Sequence, residues 1–136
     1  KRFLKQIHYM TSHPDNYSVL QDKRIYRKMR AVERSLSEKP FYSIPKAELK
    51  QNQNAIEDGD VIAMTTSVEG LDVVHVGIAV CLAGEMHLLH ASEVEKNVVF
   101  SDTRLYQYLA VRKAMTGIMV GRVREACQND DNLMAR

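Results

Sequence analysis

The chain has 136 residues, of which 45% are hydrophobic and 26% are charged, and this suits one compact domain with a sizeable core. The composition excludes a disordered tail, a collagen-like fibre and a disulfide-rich mini-protein, and the two cysteines form no CxxC pair. The formal net charge of +2 is too small to indicate a nucleic-acid partner. We therefore expect a globular domain that does not bind nucleic acid.

Basic and acidic residues are distributed unevenly along the chain. Residues 1–50 contain 12 Lys and Arg against 5 Asp and Glu, whereas residues 51–136 contain 7 against 12. This division predicts two surfaces with different neighbours, or one domain whose halves face each other. The longest nearly apolar stretch, residues 73–84, includes a histidine and is too short to span a bilayer. We therefore expect no transmembrane segment here, and no signal peptide is visible.

The first third of the chain is predicted to be helical. Ser12, Pro14 and Asp15 have the spacing of a helix start. After Asp22, apolar residues recur every three or four positions and form one helix face, which comprises Ile25, Met29, Val32 and Leu36. The basic side chains within residues 23–34 are typical of a solvated helix surface, and an anion-binding surface is the alternative interpretation.

A loop between Pro40 and Pro45 and a short helix over residues 46–51 are predicted next. From Gly59 onward the hydrophobic period changes to two, which predicts strands at about residues 60–66, 73–82, 86–91, 97–100 and 117–123. A helix from about Asp102 to Lys113 interrupts them, and one side of it carries Leu105, Tyr108, Leu109 and Arg112. Helices followed by a strand meander predict an α+β fold.

Residues 73–82 form a predicted strand with two unlike faces. One face is entirely aliphatic, and we expect it to meet the core: Val74, Val76, Ile78, Val80 and Leu82. The other face carries His75 followed by the small residues Gly77, Ala79 and Cys81. Small residues leave room for a ligand or a backbone to approach the imidazole. A half-buried structural histidine is the alternative interpretation.

The following strand brings a second histidine to the same face. A two-residue turn at residues 83–84 would pair Leu82 with Glu85, so that His75 and His90 become diagonal neighbours about 7–8 Å apart at the backbone. Two histidines within reach of each other suggest a general base and the group that orients it. The sequence therefore predicts a direct or nearly direct hydrogen bond between the two rings.

Metal and thiol chemistry within this chain are both disfavoured by spacing. His87 and His90 are three residues apart and therefore point to opposite faces of a strand, so we predict neither a metal nor a cofactor. Cys81 lies about 20 Å along the strand from His75, which is beyond hydrogen-bond reach. We expect Cys81 to be a buried structural residue, and Cys127 lies in a polar tail.

Three motifs in order resemble those of the NlpC/P60 cysteine peptidases: GDVI at residues 59–62, HVGIA at 75–79 and HLLHAS at 87–92. Three further runs make the chain similar to the DUF1460 branch, which comprises N-acetylmuramoyl-L-alanine amidase-like proteins of bacteria: YMTSHP at 9–14, GLDV at 70–73 and GIMV at 117–120. The resemblance extends from about residue 6 to about residue 124. It implies a papain-like α+β fold, with N-terminal helices before an antiparallel meander or barrel-like sheet.

The resemblance also implies roles for individual residues. His75 matches the catalytic base and His90 the residue that orients it, while Val74 departs from the Ser or Thr of many relatives. The nucleophilic cysteine of the family lies on a helix before the region where this chain begins. Residues 1–125 are thus expected to form the C-terminal part of one catalytic domain, followed by a polar tail over residues 126–136, and this part alone should be inactive.

The implied activity is hydrolysis of bacterial peptidoglycan in the periplasm or cell envelope, with muropeptides as substrates. The bond would be the N-acetylmuramoyl–L-alanine amide, cleaved through a thioester. A D-glutamyl–diamino-acid endopeptidase and a catalytically silent murein-binding domain are the alternatives. Asp72 and Ser92 flank the histidine strands and are candidate contacts to the peptide, or else ordinary polar residues of a turn and a loop.

Overall fold

The computed structural model describes residues 1–124. The strands are β1 (Arg2–Phe3), β2 (Phe41–Tyr42), β3 (Ile44–Pro45), β4 (Val61–Thr66), β5 (Val73–Leu82), β6 (Glu85–Ser92), β7 (Asn97–Phe100) and β8 (Met115–Gly121). The α-helices are α1 (Tyr9–Ser12), α2 (Lys23–Ser37), α3 (Leu49–Asn52) and α4 (Leu105–Ala110). Short 3₁₀ helices occur at Pro14–Asn16, Ser18–Gln21, Lys46–Glu48 and Gln53–Ala55. None of the helices in this part of the chain is both long enough and apolar enough to cross a membrane.

The long strands form one antiparallel sheet of six strands in the order β3-β8-β4-β5-β6-β7. Strands β4 to β7 form a meander, β8 returns beside β4, and β1 pairs separately with β2. This is the predicted α+β class, and each of the five strands predicted after residue 59 is confirmed to within two residues at either end. The sheet ends at β3 and β7, so of the two expected forms, a meander or a barrel-like sheet, the order of strands corresponds to the meander.

The expected orientation of β5 is wrong. Its aliphatic side chains Val74, Val76 and Ile78 are exposed by 41%, 51% and 42%, whereas Gly77 and Ala79 are buried. The reason is that α3 and α4 pack on the side of the sheet that carries His75, where Gly77 and Ala79 lie beside the buried Ile62 of the neighbouring strand. The core that results contains Leu49, Ile62, Met64, Ala79, Leu88, Leu105, Leu109 and Ile118, among others.

Helix α2 begins where the sequence predicts but buries a different face. The Asp22 carboxylate caps it by accepting from the backbone N–H groups of Arg24 and Ile25. The apolar stripe remains largely at the surface, with Val32 exposed by 51%, and the buried residue of this helix is Glu33. Helix α2 packs against the N-terminal segment rather than on the sheet, because the Glu33 carboxylate accepts hydrogen bonds from that segment.

Four local predictions need correction. Ser12 ends α1 instead of starting a helix, and a single 3₁₀ turn follows at Pro14–Asn16. The segment predicted as a loop contains β2 and β3, because residues far away in the sequence, in β1 and β8, supply their backbone partners. Helix α4 is shorter than predicted, and the helix expected over residues 46–51 is a 3₁₀ turn followed by α3. Cys127 and the predicted polar tail lie outside the described residues.

Candidate active site

The β5–β6 hairpin positions the two histidines. Its turn consists of Ala83 and Gly84, whose φ angles are 50° and 82°, and two successive positive φ values match the twist that a two-residue hairpin requires. Leu82 pairs with Glu85 across this turn, which is the predicted register. Because side chains alternate strictly along a strand, this register fixes which residues of β6 share a face with His75.

The two imidazole rings are in direct contact, as predicted. Nε2 of His75 lies 3.0 Å from Nδ1 of His90, and the ring planes meet at 80° with centroids 5.0 Å apart. His90 is buried, with 8% exposure, and His75 is half-buried. When Nε2 of His75 carries the proton and donates it to His90, Nδ1 of His75 keeps a free lone pair. Within residues 1–124, that nitrogen has no hydrogen-bond partner, so it is available as a base.

The surroundings of His75 favour its neutral form. Burial lowers the pKa of His75, and repulsion from His90 and Arg112 lowers it further, while the Glu93 carboxylate acts in the opposite direction. A neutral imidazole is the form that accepts a proton, so the electrostatics of the site agree with the role of a base.

A third ring and a cation complete the site. Tyr108 of α4 is buried, and its ring centroid lies 5.1 Å from that of His90 and 6.5 Å from that of His75. The guanidinium carbon of Arg112 lies 3.4 Å from the Tyr108 ring centroid, and Nη1 donates to the Tyr108 carbonyl at 2.6 Å. The sequence placed Tyr108 and Arg112 on one side of a helix but assigned neither of them a role. Their spacing of four residues, which makes two side chains neighbours on a helix surface, was the sequence signal that could have indicated this contact.

The histidines open into a groove made of two adjoining cavities. The first, of about 320 Å³, is lined by both histidines together with Ser92, Glu93 and Arg112. The second, of about 340 Å³, is lined by His90, Ser92 and Arg112 as well and extends to acidic residues, which are Glu95 and Asp102. Because they share His90, Ser92, Val94, Tyr108 and Arg112, the two cavities adjoin and form one groove.

The two candidate contact residues lie in different places. Ser92 lines the histidine cavity, and its hydroxyl accepts from the Glu95 backbone N–H at 3.1 Å. Asp72 lines another cavity, of about 270 Å³, where Lys5 is among its neighbours. The Asp72 carboxylate accepts from the Val73 backbone N–H at 2.9 Å. The fold therefore brings Ser92 to the histidines and places Asp72 in a separate cavity.

Cys81 lies at the far end of β5 from His75. It is exposed, contrary to our expectation of a buried residue, because the buried stretch of this strand ends at Ala79. His87 points to the face opposite His90 and bonds through Nδ1 to the Ser101 carbonyl at 2.8 Å. In residues 1–124, no group of three or more His, Cys, Asp or Glu side chains is placed to hold a metal ion.

The aspartate of the GDVI motif has a structural partner that the sequence did not reveal. Both carboxylate oxygens of Asp60, which is 2% exposed, lie 2.8 Å from the guanidinium of Arg122. The hydrogen bond from Arg122 holds the pKa of Asp60 below its ordinary value, against the opposing effect of burial. This ion pair joins β4 to the segment that follows β8.

The chain resembles known proteins over most of its length. Residues 3–118 match the model of the AmiA-like family, described as N-acetylmuramoyl-L-alanine amidase-like. A crystal structure of an N-acetylmuramoyl-L-alanine amidase from Bacteroides uniformis ATCC 8492 is 41% identical, with a TM-score of 0.82, and the match covers 88% of this chain and 52% of that one. A structure from Bacteroides fragilis named as a putative xylanase is 40% identical, with a TM-score of 0.82, covering 88% and 53%.

A Legionella pneumophila protein of family DUF1460 is more distant, at 22% identity and a TM-score of 0.47 over 73% of this chain and 40% of that one. No curated protein is significantly similar. The chain spans about half the length of the Bacteroides structures. Since the family model covers residues 3–118, the chain belongs to the AmiA-like, N-acetylmuramoyl-L-alanine amidase-like family.

Proposed function

We propose that this chain is part of a papain-like cysteine amidase of the NlpC/P60 type that hydrolyses the amide between N-acetylmuramic acid and L-alanine in bacterial peptidoglycan. The observation that carries the proposal is the hydrogen-bonded His75–His90 pair at the head of a groove. The family, and the similarity to the Bacteroides uniformis structure named as an N-acetylmuramoyl-L-alanine amidase, support the choice of bond. We propose the periplasm or cell envelope as its location, since that is where this substrate occurs.

The proposed reaction is acyl transfer through a thioester. Nδ1 of His75 removes the proton of a cysteine thiol, and the thiolate attacks the lactyl carbonyl to form a tetrahedral oxyanion. As that intermediate collapses, the carbon–nitrogen bond breaks and His75 returns the proton to the leaving amine of L-alanine. Water, deprotonated by the same imidazole, then hydrolyses the thioester. His90 keeps the Nε2 proton of His75 in place and thereby directs Nδ1 toward the nucleophile.

We place the nucleophilic cysteine outside these 136 residues. Cys81 is separated from His75 by most of the length of β5, and a nucleophile must lie within hydrogen-bond reach of its base. The matched amidase structure is about twice as long as this chain, which leaves ample polypeptide to supply the thiol. By itself, the 136-residue chain is expected to bind muropeptides without cleaving them.

The histidine pair favours an amide over a glycosidic bond. Glycosidases generally use two carboxyl groups that flank the scissile bond, whereas imidazole pairs serve acyl transfer. The two groups at the head of this groove are imidazoles, although one similar structure is named as a putative xylanase. Xylan oligosaccharides therefore serve as the negative-control substrate.

The test incubates the intact protein with defined muropeptides and identifies the products by mass. Free peptide beginning with L-alanine supports the amidase, and the His75→Ala variant should then be inactive while Cys81→Ser, at an exposed residue outside the groove, retains full activity. Cleavage after D-glutamate would assign the protein to the endopeptidases. Tight binding without any cleavage would make it a silent murein-binding protein, and release of xylose oligomers would overturn the proposal altogether.

A further inference from the structure

We infer that Arg112 recognises the free α-carboxylate of the D-glutamate that follows L-alanine, and so orients the stem peptide along the second cavity. This inference rests on the amidase function proposed above. Arg112 lines both cavities of the groove. Its side chain is half-buried, and it lies beside the histidines without being part of the acid–base pair.

The Arg112 guanidinium is held rigidly but is only partly used by the protein. It stacks at 3.4 Å on the buried Tyr108 ring, and one of its five N–H groups donates to the Tyr108 carbonyl. Lys46 fixes the backbone beneath it by donating to the Arg112 carbonyl at 3.0 Å. In the part of the chain that the structure describes, the other N–H groups of the Arg112 guanidinium have no acceptor. The planar, forked arrangement of these donors matches the geometry of a carboxylate.

The distance from the catalytic base suits this assignment. The Tyr108 ring lies 6.5 Å from the His75 ring, and the guanidinium carbon lies 3.4 Å from the same tyrosine ring. Arg112 is therefore within about 10 Å of the imidazole, which two to three residues of extended chain cover. The carboxylate of the second stem residue falls in this range when the scissile amide is at His75.

The order of charges along the groove fits a single direction of the peptide. On the sugar side of the scissile bond the substrate is uncharged, because the lactyl carboxyl group is consumed in the amide. On the peptide side, the D-glutamate anion comes first and the cationic amine of the diamino acid second. Arg112 lines the histidine cavity together with Glu93, and Glu95 and Asp102 join it in the second cavity, so the acidic side chains available to the amine become more numerous away from His75.

The experiment compares two N-acetylmuramoyl tripeptides that differ at one group. Both contain L-alanine, a γ-linked second residue and the same diamino acid, but the second residue is D-glutamate in one and D-isoglutamine in the other. The intact wild-type protein should prefer the free carboxylate by about 10- to 100-fold in kcat/KM, mainly through KM, since one charge-assisted contact present throughout the reaction is at stake. Arg112→Met should abolish this preference by raising KM for the glutamate substrate alone. Arg112→Lys should keep part of it.

Lys113→Met is the matched control, because it removes the same charge from an exposed neighbour that lines neither cavity. It should leave the preference unchanged. A wild-type protein indifferent to the two substrates, or an Arg112→Met variant that loses activity equally on both, would overturn the inference.

Binding separates this inference from the proposed function. If the intact protein cleaves neither substrate, calorimetry measures how tightly it binds each of the two N-acetylmuramoyl tripeptides, and this decides whether Arg112 has the inferred role. Tighter binding of the glutamate peptide that disappears in Arg112→Met supports the role of Arg112 although the amidase proposal has failed. Equal binding of the two peptides contradicts the role of Arg112.

Discussion

Nε2 of His75 and Nδ1 of His90 lie 3.0 Å apart, and this contact joins two residues of the same type that differ in exposure. His90 is buried, while His75 is half-exposed to the groove, and within residues 1–124 its Nδ1 has no hydrogen-bond partner. One imidazole can therefore exchange protons while the other fixes its tautomer and orientation.

Replacing the two histidines should reduce the activity of the intact protein to different extents. His75→Ala removes the proposed base and should lower kcat/KM by roughly a thousandfold or more, as for other catalytic units. His90→Ala should cost less, since water can partly replace an orienting group, and His90→Asn should recover some of the loss by offering an amide acceptor. Steady-state kinetics on a muropeptide, with circular dichroism to verify folding, measures this.

His87→Asn is the control for those variants, because His87 lies on the opposite face of β6 and bonds to the Ser101 carbonyl. It should remain fully active. Equal losses from His90→Ala and His87→Asn would show that the position of His90 beside His75 has no catalytic importance.

The lowered pKa of His75 should make the fold less stable in mild acid. Burial is the largest cause of the shift, followed by the positive charges of His90 and Arg112. Since the folded protein binds this proton more weakly than the unfolded chain does, the stabilising contribution is fully present above about pH 6.5 and is lost as the pH falls through the folded pKa. Urea unfolding of the wild type should therefore lose up to about 1.4 kcal/mol per pH unit in that window.

His75→Gln should flatten this part of the stability profile, because it removes the titrating group and keeps a polar side chain. Unfolding curves for both proteins between pH 5 and 8 at constant ionic strength provide the comparison. Parallel profiles for the variant and the wild type would show that His75 does not titrate differently in the folded state.

Gly77→Ala should destabilise the fold through crowding inside the sheet. A Cβ at this position would lie 2.7 Å from Cδ1 of Leu88 and 2.8 Å from the Leu89 carbonyl oxygen, and both distances are below van der Waals contact. Overpacking of this kind costs about 1–3 kcal/mol. Gly121→Ala is the matched control, since its Cβ would lie at an ordinary 3.8 Å from that of Val61. Equal midpoints of chemical denaturation for the two variants would contradict this account of Gly77.

Asp60→Asn should weaken the connection between β4 and the segment after β8. Replacing the carboxylate leaves the Arg122 guanidinium without its paired charge and should lower the free energy of unfolding by about 2–3 kcal/mol. Because the pKa of Asp60 is lowered in the fold, its contribution is present above about pH 4 and is lost as the pH falls through the folded value. Thermal and urea unfolding at pH 7 and pH 3 measure both effects.

Glu57→Gln tests whether the buried pair matters more than the exposed one. Glu57 also bonds to Arg122, but its side chain is 65% exposed, so the loss should stay within about 0.5 kcal/mol. Its backbone N–H, which donates to Asp60 at 2.8 Å, is unaffected by the change. A cost for Glu57→Gln as large as that for Asp60→Asn would refute the distinction.

The hairpin that carries the site could be predicted from the sequence because its rules are local. Strict alternation along a strand and a two-residue turn at Ala83 and Gly84 are enough to place His75 and His90 on one face. The α+β class and the main strands also follow from hydrophobic periodicity. The family resemblance rested on runs of residues in these same strands.

Which face of β5 meets the core was decided only by tertiary structure. Alternation separates Val76 and Ile78 from Gly77 and Ala79, but it does not say on which side the helices lie. Bulky aliphatic side chains normally indicate the core. Here the helices pack on the face that carries Gly77 and Ala79, and Cys81 at the end of the strand is exposed.

The remaining features depend on partners that are distant in the chain. Strands β2 and β3 exist because β1 and β8 supply their hydrogen bonds, and the face that α2 buries is set by contacts of Glu33 with residues 10 and 11. Arg112 reaches the histidines through Tyr108, and Arg122 reaches Asp60 from beyond the last strand. Periodicity and spacing determined the strands and the histidine pair of this protein. Long-range packing decided which surfaces are buried and which charges meet, because those contacts join segments whose relative positions no local pattern specifies.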